Sequence, residues 1–405
     1  MAQARFSPLP GRVLRRQGLV VLQSHHENVS ANPWTSQADH GRITAVTRGS
    51  VNHRRLRASL VSASLLASVA LAGALPLGTT TQAQAAPVAA SAEVASAPLR
   101  VASYNIRNAN TYQKHKNEKR WVDRRAAVVA GIKGQDLDVL GVQEASQGLL
   151  SDATSQRNRT SQFDDLVARL GGGWKVTNDR HYNCVNTDSP NRCTKVDQGA
   201  SGGTRILYDS TRVELLAQGS ELLPLPKGEP EKYTAWAQLR QRSTGKRFMV
   251  ANLHTVGTDA QYAYRTKQAK VALAALKEHN PGGLPMIALG DWNSSRFEKP
   301  SNGPYDVFVK AGFVDPLGQK YRSTSAVKPT AEKRVRAWIN SSNPSWSRTA
   351  PNHKSWGQGS YIDYILTTKM RVSEWETVAR LDKKGKFVGV IPSDHNMVRA
   401  TVWLP

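Results

Sequence analysis

The sequence predicts a layered α/β domain over residues 99–405, with helices packed outside β-sheets. Three observations predict it. Strand-length apolar runs alternate with helical runs along this part of the chain. Several of the strands, such as DVLGVQE (138–144) and LPMIALGD (284–291), are apolar on both faces, as strands covered on both sides must be. A composition of 39% hydrophobic and 21% charged residues over 405 positions describes a soluble folded chain and excludes wholesale disorder.

The elements follow in order. LRVASYNIR (99–107) is a strand, and EKRWVDRRAAVVAGIKG (118–134) is an amphipathic helix closing on Gly134. DLDVLGVQEA (136–145) is a buried strand, followed by a helix near 161–170. RILYD (205–209), YTAWAQLR (233–240) and FMVANLHT (248–255) are strands, the last two joined by a Ser-Thr-Gly-Lys turn. Residues 259–280 form a long helix stopped by Pro281. LPMIALGDWN (284–293) is a buried strand and YDVFVKAGF (305–313) a short helix. SYIDYILTTK (360–369) and NMVRATVWL (396–404) complete the sheets, and the polar stretch 316–360 reads as an elaborated surface loop.

Upstream lies a leader. Arg54, Arg55 and Arg57 precede an apolar stretch from Ala58 to Leu77, and Ala83-Gln84-Ala85 supplies the small-x-small pattern of a signal peptidase site. Residues 51–85 therefore read as a secretory signal, and 86–98 as an Ala/Pro/Ser linker. An anchoring helix of about 20 residues is the competing reading; the many Ala and Ser residues and the cleavage pattern favour removal. Arg54-Arg55 also leaves a twin-arginine route open. Residues 1–50 are polar and without period, which suggests Val51 as the true initiator and 1–50 as non-structured. In an oxidising compartment Cys184 and Cys193, in a polar loop without a nearby His, read as a disulfide.

Charge narrows the partners. Lys and Arg number 55 against 31 Asp and Glu, or +24. Residues 1–86 hold nine Arg, one Glu and one Asp, so about +17 belongs to the remainder. Such a field attracts nucleic acid, anionic membrane surfaces and phosphorylated small molecules.

Polar groups at the ends of buried strands carry the chemistry, because an unpaired buried charge is costly. Asn105 ends the first strand and Glu144 the second; His254 ends NLHT, with Asn252 on the same face by period-two alternation. Asp291 and Asn293 end the IALGDWN strand, Asp363 interrupts YIDYIL, and Asp394-His395 precede the final strand. Each alone reads as a cap, a turn or a satisfied core residue. Together they describe one convergent polar cleft.

The ordered series SYNIR, W-V-D-R-R, DVLGVQE, GGTRILYD, NLHT, GDWN, YIDYIL and SDH resembles the endonuclease/exonuclease/phosphatase superfamily, the DNase I-like fold, over about residues 98–405. The resemblance implies a four-layer α/β sandwich, two packed sheets flanked by helices, that hydrolyses phosphoesters with a divalent metal. By that resemblance Glu144 is the principal metal-binding residue, with Asn105 beside it and Asp394 helping. Asp291 and Asn293 position and activate the attacking water, and His254 contacts the phosphoryl oxygen or serves the leaving group. His395 is paired to Asp363, and Arg107 occupies a position where an arginine touches DNA. One departure stands out. A glutamate that partners the histidine in DNase I-like endonucleases is replaced here by QGASGGTR, with Gly202 or Gly203 near the place.

The oxygen-rich donor set favours Mg²⁺, Mn²⁺ or Ca²⁺ over zinc. The basic domain, Arg107, and Trp338, Trp346 and Trp356 interleaved with eight Lys/Arg over 316–360 favour nucleic acid as substrate. The expectation is a secreted, monomeric, metal-dependent nuclease, free of the membrane once its leader is cut. A secreted phosphatase or sphingomyelinase-like phospholipase C is the alternative, although no clear apolar hairpin for membrane entry is present. A catalytically silent nucleic-acid-binding module is a lesser one.

Overall fold

Alternating side chains along the first strands bury two different surfaces, and this sets the layering. The computed structural model describes residues 96–148, 150, 160–179, 203–258, 261–319 and 328–405. The leader and Cys184 and Cys193, with their expected disulfide, lie outside the described residues. Strand β1 spans Pro98–Asn105 and β2 spans Val139–Gln143. Val101 and Val139 join one core cluster, whereas their neighbours Ala102 and Leu140 join a second with helix α1 (Trp121–Lys133) and helix α2 (Gln162–Leu170).

The remaining strands are β3 (Trp174–Val176), β4 (Arg205–Asp209), β5 (Val213–Leu222), β6 (Tyr233–Gln241), β7 (Arg247–His254), β8 (Met286–Asp291), β9 (Ala331–Val335), β10 (Asp363–Thr367), β11 (Arg371–Val378) and β12 (Met397–Trp403). A seven-stranded sheet runs β3-β4-β2-β1-β12-β11-β9, and a five-stranded sheet runs β10-β8-β7-β6-β5. Val101, Val139 and Val402 of the first sheet share a core with Val250, Leu253 and Leu289 of the second. Helices α3 (Tyr262–Glu278) and α4 (Gly303–Lys310) supply Ala269, Leu276 and Phe308 to the same cluster. The result is the expected α/β sandwich of two sheets between helices. No helix among the described residues is long and apolar enough to cross a membrane.

Two glycines allow the strands to come this close. A Cβ on Gly290 would lie 2.0 Å from the Leu253 carbonyl oxygen, and its φ of 146° is open only to glycine. A Cβ on Gly141 would lie 3.0 Å from the Asn252 amide of the other sheet. That Asn252 side chain is fully buried. It donates to the carbonyls of Val142 and Arg205, both at 2.8 Å, and accepts from Gln143 at 2.6 Å. Alternation places Asn252 in the polar cleft with His254; the structure instead makes it a crosspiece between sheets, below the cleft.

Strand ends differ from expectation by a few residues: β1 stops at Asn105 and β8 at Asp291. Glu118 lies outside α1 and instead accepts the backbone N–H groups of Gln113 and His115. The short β3 and strands β5, β9 and β11 were not anticipated. β5 is an edge strand whose centre is exposed, and the charges that mask β11 are neutralised across strands, Glu374 by Lys333 and both Glu374 and Glu376 by Arg399. The described part of the 316–360 stretch is more than a surface loop, since it contains β9. Trp346, grouped with the exposed tryptophans by sequence, is fully buried with Ile339, Ala350, Phe387 and Ile391.

Asn252→Leu removes three buried hydrogen bonds and leaves their partners unsatisfied, each costing about 1–3 kcal/mol. Urea unfolding should show a loss of roughly 3 kcal/mol or more. An unchanged midpoint would show that the crosspiece contributes nothing to stability.

Candidate active site

Strand register brings the polar ends to one level. β7 and β8 pair in parallel with His254 opposite Asp291, and β8 and β10 pair antiparallel with Asp291 opposite Asp363. On the other sheet Asn105 pairs with Gln143, one residue before Glu144. Glu144 (φ 59°) and Asn293 (φ 44°) leave their strands in the left-handed region, a conformation that costs non-glycine residues and clusters at functional sites.

The Asn105 amide joins the two sheets. Its Nδ2 donates to Glu144 Oε1 and to Asp291 Oδ2, each at 3.0 Å, while its Oδ1 accepts from the Arg107 N–H. Glu144 Oε2 accepts the Asn108 N–H at 2.8 Å. Asp291 Oδ2 is faced by two imidazoles, with His254 Nε2 and His395 Nε2 each at 3.7 Å. Its other oxygen accepts the Asn293 N–H at 2.9 Å, and the Asn293 amide donates to the Thr255 carbonyl.

His395 is oriented from behind. Its Nδ1 lies 2.9 Å from Asp363 Oδ2, and Asp363 is only 1% exposed. The Ser393 hydroxyl donates to the Asn105 carbonyl at 2.7 Å and accepts the His395 N–H at 3.2 Å, which ties the histidine loop to β1. Arg107 does not project outward. Its guanidinium lies 3.6 Å from Asp394, 4.0 Å from Glu144 and 3.6 Å from Glu118.

All ten predicted site residues except Asn252 thus meet in one cleft. Three contributors were missed. Arg124, buried on α1, donates to the carbonyls of Ile106, Arg107 and Pro392 and so clamps the end of β1 to the loop bearing Asp394 and His395. A charged residue on the buried face of the W-V-D-R-R helix was the signal for it. The Gln162 side chain, at the start of α2, fixes the Arg107 carbonyl and the Ala109 and Ser146 N–H groups. Lys232, preceding β6, is partly buried and acts electrostatically on Glu144, Asp291 and His254; no spacing pattern announces it. The missing glutamate has a steric counterpart, because a Cβ at Gly203 would lie 3.3 Å from Glu144 Cα.

The two histidines differ in charge. Burial, then Lys232, lowers His254 to about 4, so it is neutral at pH 7. Burial also opposes charge on His395, but Asp363, Asp291 and Asp394 outweigh it and hold the imidazolium well above its ordinary value. Burial raises Asp291 and Asp394. Burial likewise works against ionised Glu144, yet His254 and the Asn105 and Asn108 donors bring it down to about 2. Because His254 is uncharged in the neutral range, the two N–H donors hold the Glu144 carboxylate there.

The donor set fits a hard divalent cation. Glu144 and Asp394 already converge on one cation, the Arg107 guanidinium, and the Asn105 side-chain oxygen accepts the backbone N–H of the same arginine. One donor atom each of Asp291, Asp363 and His395 also lies within 4.8 Å of the others. The Asp363–His395 hydrogen bond engages two of those three groups, which favours Glu144 and Asp394 as the holders.

Comparison with known proteins agrees with this architecture. No curated protein sequence matches the chain. A Bacteroides thetaiotaomicron endonuclease/exonuclease/phosphatase family protein superposes with a TM-score of 0.53 at 19% identity, covering 77% of this chain and 99% of its own. A mannosyl-6-phosphatase from the same organism gives 0.53 at 20% identity, with 75% and 99% covered. A Bacteroides vulgatus endonuclease/exonuclease/phosphatase gives 0.52 at 20%, with 76% and 100% covered. At such identities the likeness speaks for the fold. The family model for the endonuclease/exonuclease/phosphatase family matches residues 102–395, from within β1 to the dyad histidine, and the chain belongs to that family.

Proposed function

We propose that the protein is a secreted, divalent-metal-dependent phosphodiesterase that hydrolyses DNA or RNA. The observation that carries the reading is Asp291 Oδ2, flanked at 3.7 Å by a neutral and a charged imidazole and tied through Asn105 to Glu144. About +17 on residues 87–405 favours a polyanionic substrate, and the leader over 51–85 supports secretion.

A phosphodiester is an anion that resists an attacking oxygen. Mg²⁺ held by Glu144 and Asp394 would neutralise its phosphoryl oxygens. As the water oxygen bonds to phosphorus, the ester P–O bond breaks. The charged His395 hydrogen-bonds the phosphoryl group through Nε2 and its proton passes to the departing oxygen, with Asp363 fixing the ring and stabilising its charge. Asp291, whose burial raises its proton affinity, orients water and accepts its proton, while Asn293 holds the phosphate beside it. Neutral His254 adds a hydrogen bond to a phosphoryl or leaving oxygen without needing to be charged.

His395→Ala and Asp291→Ala should each lower turnover by about 10²-fold or more with the fold intact, and Glu144→Ala should additionally raise the metal concentration needed. Near-parental rates in both of the first two variants would refute the site. Plasmid DNA, RNA and bis-p-nitrophenyl phosphate, each with and without EDTA, test the activity. The proposed enzyme cuts polymer only without EDTA, a phosphatase prefers a monoester, and a binding module retards DNA without cutting it.

The pH profile follows from the charge states. Activity should fall in acid as Asp291, whose proton affinity burial raises, is protonated and can no longer accept the proton of water, and in alkali as His395 loses its proton well above 6.5. Asp363→Asn removes a carboxylate that raises His395, so the alkaline limb should move down. An unmoved limb would show that His395 is not the titrating group.

A further inference from the structure

The loop after Asn293 carries an aromatic residue into a ready-made ring stack. Ser294 and Arg296 are buried, and the Arg296 guanidinium donates to the Gln358 side chain at 2.7 Å and to its carbonyl at 3.2 Å. This fixes Phe297 against the segment 353–358. His353 and Trp356 stack there with centroids 4.0 Å apart and planes 4° from parallel. Phe297 leans on both, at 6.3 Å and 5.8 Å. Trp356 is nevertheless 38% exposed.

Residues 341–342, earlier in the same polar stretch, lie against the catalytic residues. Ser342 bridges to His395, and the Ser341 hydroxyl accepts the N–H groups of Ile362 and Asp363. Phe297 follows Asn293 by four residues, a span of at most about 14 Å. Beyond the stack, the His353 N–H donates to the Trp338 carbonyl, and Trp338 (37% exposed) borders a cavity of about 420 Å³ lined by Lys354, Lys383 and Lys384. Those three lysines make no ion pair among the described residues, and the one carboxylate in that wall, Asp382, accepts the backbone N–H groups of Lys384 and Lys386.

We propose that Phe297, His353 and Trp356 form a shelf for an unpaired base next to the scissile phosphate, with Lys354, Lys383 and Lys384 gripping the strand beyond. The protein then prefers single-stranded nucleic acid over intact duplex. This rests on the nuclease reading above and specifies its substrate. Bases present their π-faces only when unstacked, so a ring platform selects them over a closed helix. The rings are already held by one another, which lowers the ordering cost of binding. A lone sugar phosphate would leave the outer lysines without an anion.

The test compares an oligothymidylate with the same backbone lacking its bases. Trp356→Ala should raise KM for the oligothymidylate about tenfold, leave kcat and the abasic strand unchanged, and be rescued by Trp356→Phe, which keeps a ring. The wild type should cut the oligothymidylate with lower KM than either the abasic strand or a duplex. Equal KM values for wild type and Trp356→Ala, with DNA still cut, would overturn the shelf and leave the nuclease reading standing. A wild type that hydrolyses bis-p-nitrophenyl phosphate and no nucleic acid would overturn both.

Discussion

One amide group holds the two halves of the cleft together. Asn105 Nδ2 donates at 3.0 Å both to Glu144, on its own sheet, and to Asp291, on the other. Two carboxylates that would repel each other are thus fixed by shared donors on a buried side chain. The rest of the site is arranged around that link. Ser393 holds the Asn105 carbonyl and Arg124 the next two and that of Pro392, so a shift at the end of β1 would move Arg107, Asp394 and His395 together. Placement by strand ends, and by loops tied to them through buried hydrogen bonds, suits a reaction that depends on position and charge.

Charge balance explains the neighbouring residues. Glu118, Glu144, Asp291, Asp363 and Asp394 bring five acids into a small, water-poor region. Arg107 answers three of them, His395 answers Asp363 and Asp291, and Lys232 lies near Glu144 and Asp291. Beside His254, burial and then Lys232 favour a neutral imidazole. The two histidines flanking Asp291 therefore differ in role because their surroundings differ in sign.

Much of this was legible in the sequence. Period-two alternation and two-sided apolar strands carried the sandwich, and the polar residues ending those strands marked the cleft, since burial there is costly without a purpose. Asn252 misled because alternation places it on the face of His254, yet two residues further from the strand end that face meets the opposite sheet. Trp346 misled because a polar stretch conceals its own small core of Ile339, Phe387 and Ile391. β11 was missed because its glutamates find cations only on neighbouring strands distant in sequence. Lys232 was invisible for the same reason: its significance is a relation in space to residues from three other strands.

Anomalous scattering from crystals soaked in Mn²⁺ with phosphate shows whether Glu144 and Asp394 form a cation site across from Asp291 and the two histidines. A manganese peak should appear on Glu144 and Asp394, with phosphate reaching toward His254, Asn293 and His395. A peak seated instead on Asp291, Asp363 and His395, displacing the imidazole from its carboxylate, would contradict it.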